Sequence, residues 1–83
     1  MKMNDSSGIL LRIDPIFRQV LGEDVIVTLE LDATTVESWD SLNHITLIVE
    51  IENLFNIEFS SSELGSILKV GDLVDLVISK LNS

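Results

Sequence analysis

The sequence predicts an all-α fold: a small four-helix bundle of three main helices plus one short helix, with a long loop between helices one and two. Apolar residues recur at helical spacing in three separate stretches, around Ile13, Ile48 and Val74. Start and stop signals stand at the edges of these stretches: Gly22 after the first, Asp40 before the second, and Ser60 with Glu63 ahead of the short third helix. The one segment that alternates like a strand, Val27 to Asp32, has no convincing second strand to pair with.

Residues 1 to 8 read as a frayed start, with Ser6, Ser7 and Gly8 ahead of the first periodic residue. Ile9, Ile13, Ile16, Phe17, Val20 and Leu21 then define helix one up to Gly22, a natural C-terminal stop. Pro15 removes the bond to the carbonyl of Leu11, which costs roughly 3 kcal/mol inside a helix. Either the helix kinks there, or Asp14 caps a shorter helix with Pro15 at its first position. The apolar phase continues across Pro15, so one kinked helix is expected. Residues 23 to 39 read as a long ordered loop anchored by Val27, Leu29 and Leu31, with a short helical turn at Thr34 to Glu37. Trp39, a large aromatic beside the loop-to-helix junction, reads as a packing residue that staples it.

Helix two is expected over Ser41 to Phe55, behind Asp40 as N-cap. Leu47, Ile48, Ile51, Leu54 and Phe55 share one broad face, and Leu42, Ile45 and Val49 form a second stripe. So small a bundle cannot easily bury both. The second stripe is therefore either a surface left for a partner or packed under the long loop. Asn43, Thr46, Glu50 and Asn53 form the polar strip. A capping box at Ser60 and Glu63 precedes a short helical turn near Glu63 to Ile67. Val70, Leu73, Val74, Val77, Ile78 and Leu81 have the spacing of a fourth helix, with Lys80 near its C-terminus, where a cation is favoured. Lys69 stands where a capping Ser or Thr would be expected, so the start of that helix is weakly specified.

Eighty-three residues leave room for one core, and a single domain over residues 1–83 is expected. The formal net charge is −9, and from Gln19 through Leu68 there are ten acidic residues and no Lys or Arg. Such a surface repels nucleic acid and anionic membranes and favours electropositive protein partners and a monomeric state. The apolar runs are far too short to span a bilayer, and the first residues lack a signal-peptide apolar region, so a cytoplasmic location is expected. Without cysteine there is neither a disulfide framework nor a thiolate metal site. No spacing of Glu37, Asp40 and the nearby acids is diagnostic of a carboxylate metal site, and none is expected.

The informative stretch is Asp40-Ser41-Leu42. Behind a capping acid, Ser41 falls on the first turn of helix two, where a phosphate on its hydroxyl would meet free backbone N–H groups and the positive end of the helix dipole. With the downstream Ile45-to-Ile57 segment, Phe55 closing the helix, and the late Val70-Gly71-Asp72-Leu73-Val74, this triplet resembles the acyl carrier protein family over roughly residues 9 to 81. The resemblance implies 4'-phosphopantetheine on Ser41, installed from coenzyme A by a phosphopantetheinyl transferase, with Asp40 as the acid of the motif. It implies that thioester-bound acyl groups are presented to acyl-loading and acyl-using enzymes with basic surfaces, through Leu42, Ile45, Val49 and Glu52. Those enzymes would belong to fatty-acid, polyketide-like or another specialised acyl biosynthesis. The family commonly has Gly at the position of Ser38, and acids at those of Thr46 and Asn53, so this helix is less charged than usual.

Two other readings compete. Asp40, Ser41 and His44 supply the residue types of a hydrolase triad on one helical turn, but that spacing provides neither an oxyanion hole nor a cleft, so no catalytic residue is expected. His44 reads as a residue turned toward the loop or a neutral donor. An unmodified acidic helical adaptor would use the same apolar stripe of helix two without needing Ser41.

Overall fold

The computed structural model describes residues 5–82, in which four α-helices and one 3-10 turn follow each other along the chain. These are α1 (Ser6–Leu21), α2 (Ser41–Phe55), α3 (Ser61–Ser66) and α4 (Val70–Leu81), with the 3-10 turn at Ala33–Thr35. Helix α1 packs against both α2 and α4. The core between them is built from Ile9, Ile13 and Phe17 of α1, Leu47 and Ile51 of α2, and Val70, Leu73, Val74 and Val77 of α4. Burying one such side chain contributes roughly 1.5–3 kcal/mol. An exposed pair such as Arg18–Asp14, at 3.5 Å, adds about 0–1 kcal/mol, so apolar packing and not surface pairing holds the bundle.

Of the frayed start expected over residues 1–8, residues 1–4 lie outside the described residues, and Ser6 to Gly8 prove helical. The Asp5 carboxylate accepts the Gly8 N–H at 2.8 Å and starts α1 at Ser6. No periodicity marks that first turn, because it carries no apolar side chain. The helix runs unbroken through Pro15, whose ring is exposed. At its end the Gly22 N–H donates to the Arg18 carbonyl, with φ at 136°, a conformation that strains any residue with a Cβ.

In the long loop Val27 is buried and Leu29 and Leu31 are half-buried, as the alternation suggested. The helical turn sits at Ala33–Thr35 and not at Thr34 to Glu37, because Asp32 caps it. The Asp32 carboxylate accepts the Thr34 N–H at 2.7 Å and the Thr34 hydroxyl at 2.8 Å, and these bonds hold its carboxyl below the usual carboxylate range. The loop's backbone finds partners far along the chain. The Gly71 N–H donates to the Leu29 carbonyl and the Val70 N–H to the Leu31 carbonyl, both at 2.9 Å, and the Ala33 N–H donates to the Leu68 carbonyl at 3.0 Å. Asp32 and Lys69 form an isolated antiparallel bridge within this strap.

The same bonds begin α4. The first amides of a helix have no intrahelical acceptor, and Lys69 has no side-chain acceptor to offer. The loop carbonyls of Leu31 and Leu29 therefore take the N–H groups of Val70 and Gly71. The Asp72 carboxylate adds a clamp on the Leu68 and Lys69 N–H groups at 3.0 and 3.1 Å. A Cβ at position 71 would lie 3.0 Å from the Leu29 carbonyl oxygen, so glycine lets loop and helix approach this closely and a methyl there would push the strap outward by a few tenths of an ångström.

Helix α3 spans Ser61–Ser66, earlier than the turn expected near Glu63 to Ile67. The capping box makes Ser60 the N-cap and thus Ser61 the first helical residue: Ser60 Oγ accepts the Glu63 N–H at 3.2 Å, and Glu63 accepts the Ser60 N–H at 2.8 Å. Glu63 also meets Lys80 of α4 at 2.9 Å. The Ser60 amide first, and then the Lys80 ammonium, keep the Glu63 carboxyl below the usual range.

Candidate functional site

The head of α2 is held from three sides. The Asp40 carboxylate accepts the Asn43 N–H at 2.9 Å, and the first intrahelical bond runs from the His44 N–H to the Asp40 carbonyl at 2.8 Å. The amides of Ser41 and Leu42 precede both bonds, at the positive end of the helix. Ser41 is the first residue of α2 and is exposed. Behind it, the Ser38 hydroxyl donates to the carbonyl of Leu21, the last residue of α1, at 2.8 Å, and the Asn43 side chain donates to the Ser38 carbonyl at 2.7 Å. Serine at position 38 thus ties the turn to α1.

Trp39 is buried edge-on against Phe17, with ring centroids 5.3 Å apart and planes at 81°. Its indole N–H donates to His44 Nδ1 at 3.0 Å, and His44 Nε2 lies 3.3 Å from the Leu64 carbonyl of α3. An indole N–H is a donor only, so Nδ1 must be bare, and the neutral imidazole carries its proton on Nε2, which donates to Leu64. Both ring nitrogens are thereby occupied by groups other than the Ser41 hydroxyl. This removes the base from the triad reading.

A groove of about 450 Å³ opens beside Ser41 and Asp40, between the start of α2, the 3-10 turn and α3. Its walls are mostly apolar, with Ala33, Trp39, Ile45, Leu64 and Ile67 contributing alongside His44. Next to it stands the second stripe of α2. Leu42, Ile45 and Val49 are 74%, 58% and 46% exposed, so these residues do not pack under the loop. Glu52, on the same helix, uses its carboxylate to accept the Phe59 N–H at 2.8 Å and so fixes the chain leaving α2. Of the polar strip, Asn43 is half-buried and engaged, whereas Thr46, Glu50 and Asn53 are exposed.

Among the described residues no group of three or more His, Asp or Glu side chains could hold a metal ion, and no helix is long and apolar enough to cross a membrane. The structure therefore gathers Asp40, Ser41, Leu42 and Ile45 at one end of α2, with Val49 farther along and Glu52 turned to structural use. What the sequence did not reveal is that Ser38 and Asn43 fix the turn, and how His44 is paired. The available signal was Trp39, since a buried indole N–H normally requires an acceptor nearby.

No protein-family model matches the chain. The acyl carrier protein of Coprothermobacter proteolyticus is 36% identical to it over 59 residues, which is 71% of this chain and 72% of that protein. The solution NMR structure of a holo acyl carrier protein from Geobacter metallireducens is similar at a TM-score of 0.80 and 43% identity, covering 88% of this chain and 85% of the other.

Proposed function

Because the chain belongs to the acyl carrier protein family, a family of carriers and not of enzymes, we propose that it presents acyl groups as thioesters on a 4'-phosphopantetheine arm attached to Ser41. The observation that carries this reading is the exposed Ser41 hydroxyl at the first position of α2, with an apolar groove at its side. Asp40 fixes the turn and leaves the Ser41 and Leu42 amides free to meet a phosphodiester. When bound, the arm supplies the thiol that this cysteine-free chain lacks. Residues 1–83 act as one unit of this kind, in the cytoplasm and as a monomer. Leu42, Ile45 and Val49 dock on a phosphopantetheinyl transferase and on acyl-loading and acyl-using enzymes, in fatty-acid, polyketide-like or another specialised acyl biosynthesis. The acid-only interval from Gln19 to Leu68 steers the chain toward basic surfaces on those enzymes.

Incubation with coenzyme A and a broad-specificity transferase, read by intact mass, tests the assignment. The wild type gains one phosphopantetheine mass, and Ser41→Ala gains none while keeping its helical circular dichroism. Refusal of the arm by the wild type with several competent transferases would instead support the unmodified adaptor working through the exposed α2 stripe.

A further inference from the structure

We infer that His44 is a positioning residue that latches α3 across the groove beside Ser41. Helix α3 has only six residues, and Leu64 and the adjoining Ile67 line that groove. Its N-terminal end is closed by the Ser60–Glu63 box, and Lys80 ties Glu63 to α4. The groove side of α3 is held by the His44 Nε2–H on the Leu64 carbonyl. That bond exists only in one tautomer, which is imposed from the other side of the ring by the Trp39 indole. Trp39 is in turn fixed by its buried edge against Phe17 of α1. A continuous chain, Phe17 to Trp39 to His44 to Leu64, thus runs from the core to the α3 wall of the groove. Among the described residues no other side-chain hydrogen bond joins α2 to α3.

An imidazole is suited to this position because it offers one acceptor and one donor on opposite sides of a rigid ring. Leucine has the volume but neither group, so it would leave the indole N–H without its acceptor and the Leu64 carbonyl with only the long bond from the Ile67 N–H, at 3.5 Å. Glutamine offers an acceptor and a donor on one planar amide and should restore both bonds. The latch concerns a wall of the groove beside Ser41, the proposed attachment site, and so it rests on that reading. Its test uses the chain without an arm, so failure of one leaves the other standing.

Nitrogen NMR of the His44 ring near neutral pH should show the Nε2–H tautomer, and hydrogen exchange should be followed at Leu64 to Leu68. In His44→Leu these amides should exchange roughly tenfold faster, the factor that corresponds to losing one modest hydrogen bond, while Ile13 and Phe17 of α1 stay protected. His44→Gln should recover most of the protection. Trp39→Phe, which keeps a ring against Phe17 but removes the indole N–H, should weaken the Nε2–H preference. An Nδ1–H tautomer in the wild type, unchanged α3 exchange in His44→Leu, or glutamine behaving like leucine would each overturn the latch.

Discussion

Gly71→Ala pits two effects of opposite sign against each other at the start of α4. Replacing glycine by alanine within a helix ordinarily stabilises by up to about 1 kcal/mol, and less in the first turn. Here the added methyl would stand 3.0 Å from the Leu29 carbonyl oxygen, which is backbone and cannot rotate aside. The loop must shift by a few tenths of an ångström, weakening the bonds from Gly71 to Leu29 and from Val70 to Leu31 and lifting half-buried Leu29 from its packing. Two backbone bonds worth about 0.5–1.5 kcal/mol each outweigh the propensity gain, as does the roughly 1–3 kcal/mol typical of overpacking. We expect Gly71→Ala to lose about 1–2 kcal/mol in urea denaturation. At roughly 4–8 °C per kcal/mol for a domain of this size, that is a drop in Tm of about 5–15 °C. Faster hydrogen exchange at Val70 and at position 71 should accompany it. A variant as stable as the wild type, or more so, would show that the strap yields freely and that glycine is not required there.

Two further outcomes follow from charge and from the groove. With a net charge of −9 and few cations, the fold should gain in Tm as sodium chloride is raised through about 0.1 M, where the Debye length is about 10 Å; a flat or falling Tm would mean the acids are offset locally. A medium-length acyl chain on the arm leaves roughly 0.8 kcal/mol per methylene exposed if it stays in water. It should therefore enter beside α3, raise the Tm, and shift amides between Ile48 and Leu73 more than those in α1. Shifts confined to the neighbourhood of Ser41 with an unchanged Tm would place the chain outside.

What the sequence made legible was local. Helix α2 starts and ends where Asp40 and Phe55 put it, because cap, periodicity and stop all lie within one short stretch. The buried stripe of α1 was equally plain, but its first turn was not, since Ser6, Ser7 and Gly8 have no apolar side chain to display the period. Ser41 and its capping acid could be placed from residue types alone. The bonds behind them could not: Ser38 reaches Leu21, and His44 reaches Leu64, across spacings that no helical or strand period encodes. Glu52 illustrates the same limit in reverse. The resemblance implied a partner contact for it, and only the path of the chain after Phe55 shows that its carboxylate also holds the Phe59 amide.

The strap between the loop and α4 also bears on how the chain acquires its fold. The carbonyls that receive the first amides of α4 belong to Leu29 and Leu31, about forty residues earlier, so that helix cannot complete its N-terminus until a long stretch of chain has closed on itself. Helices α1 and α2 contain their own caps, in Asp5 and Asp40, and can begin independently. We therefore expect α1 and α2 to pair early and the loop to dock together with α4 in a late step, an order that φ-values at Leu29 and Ile51 would check. Changes at Leu29, Val70 or Gly71 should then accelerate unfolding while leaving the folding rate nearly unchanged.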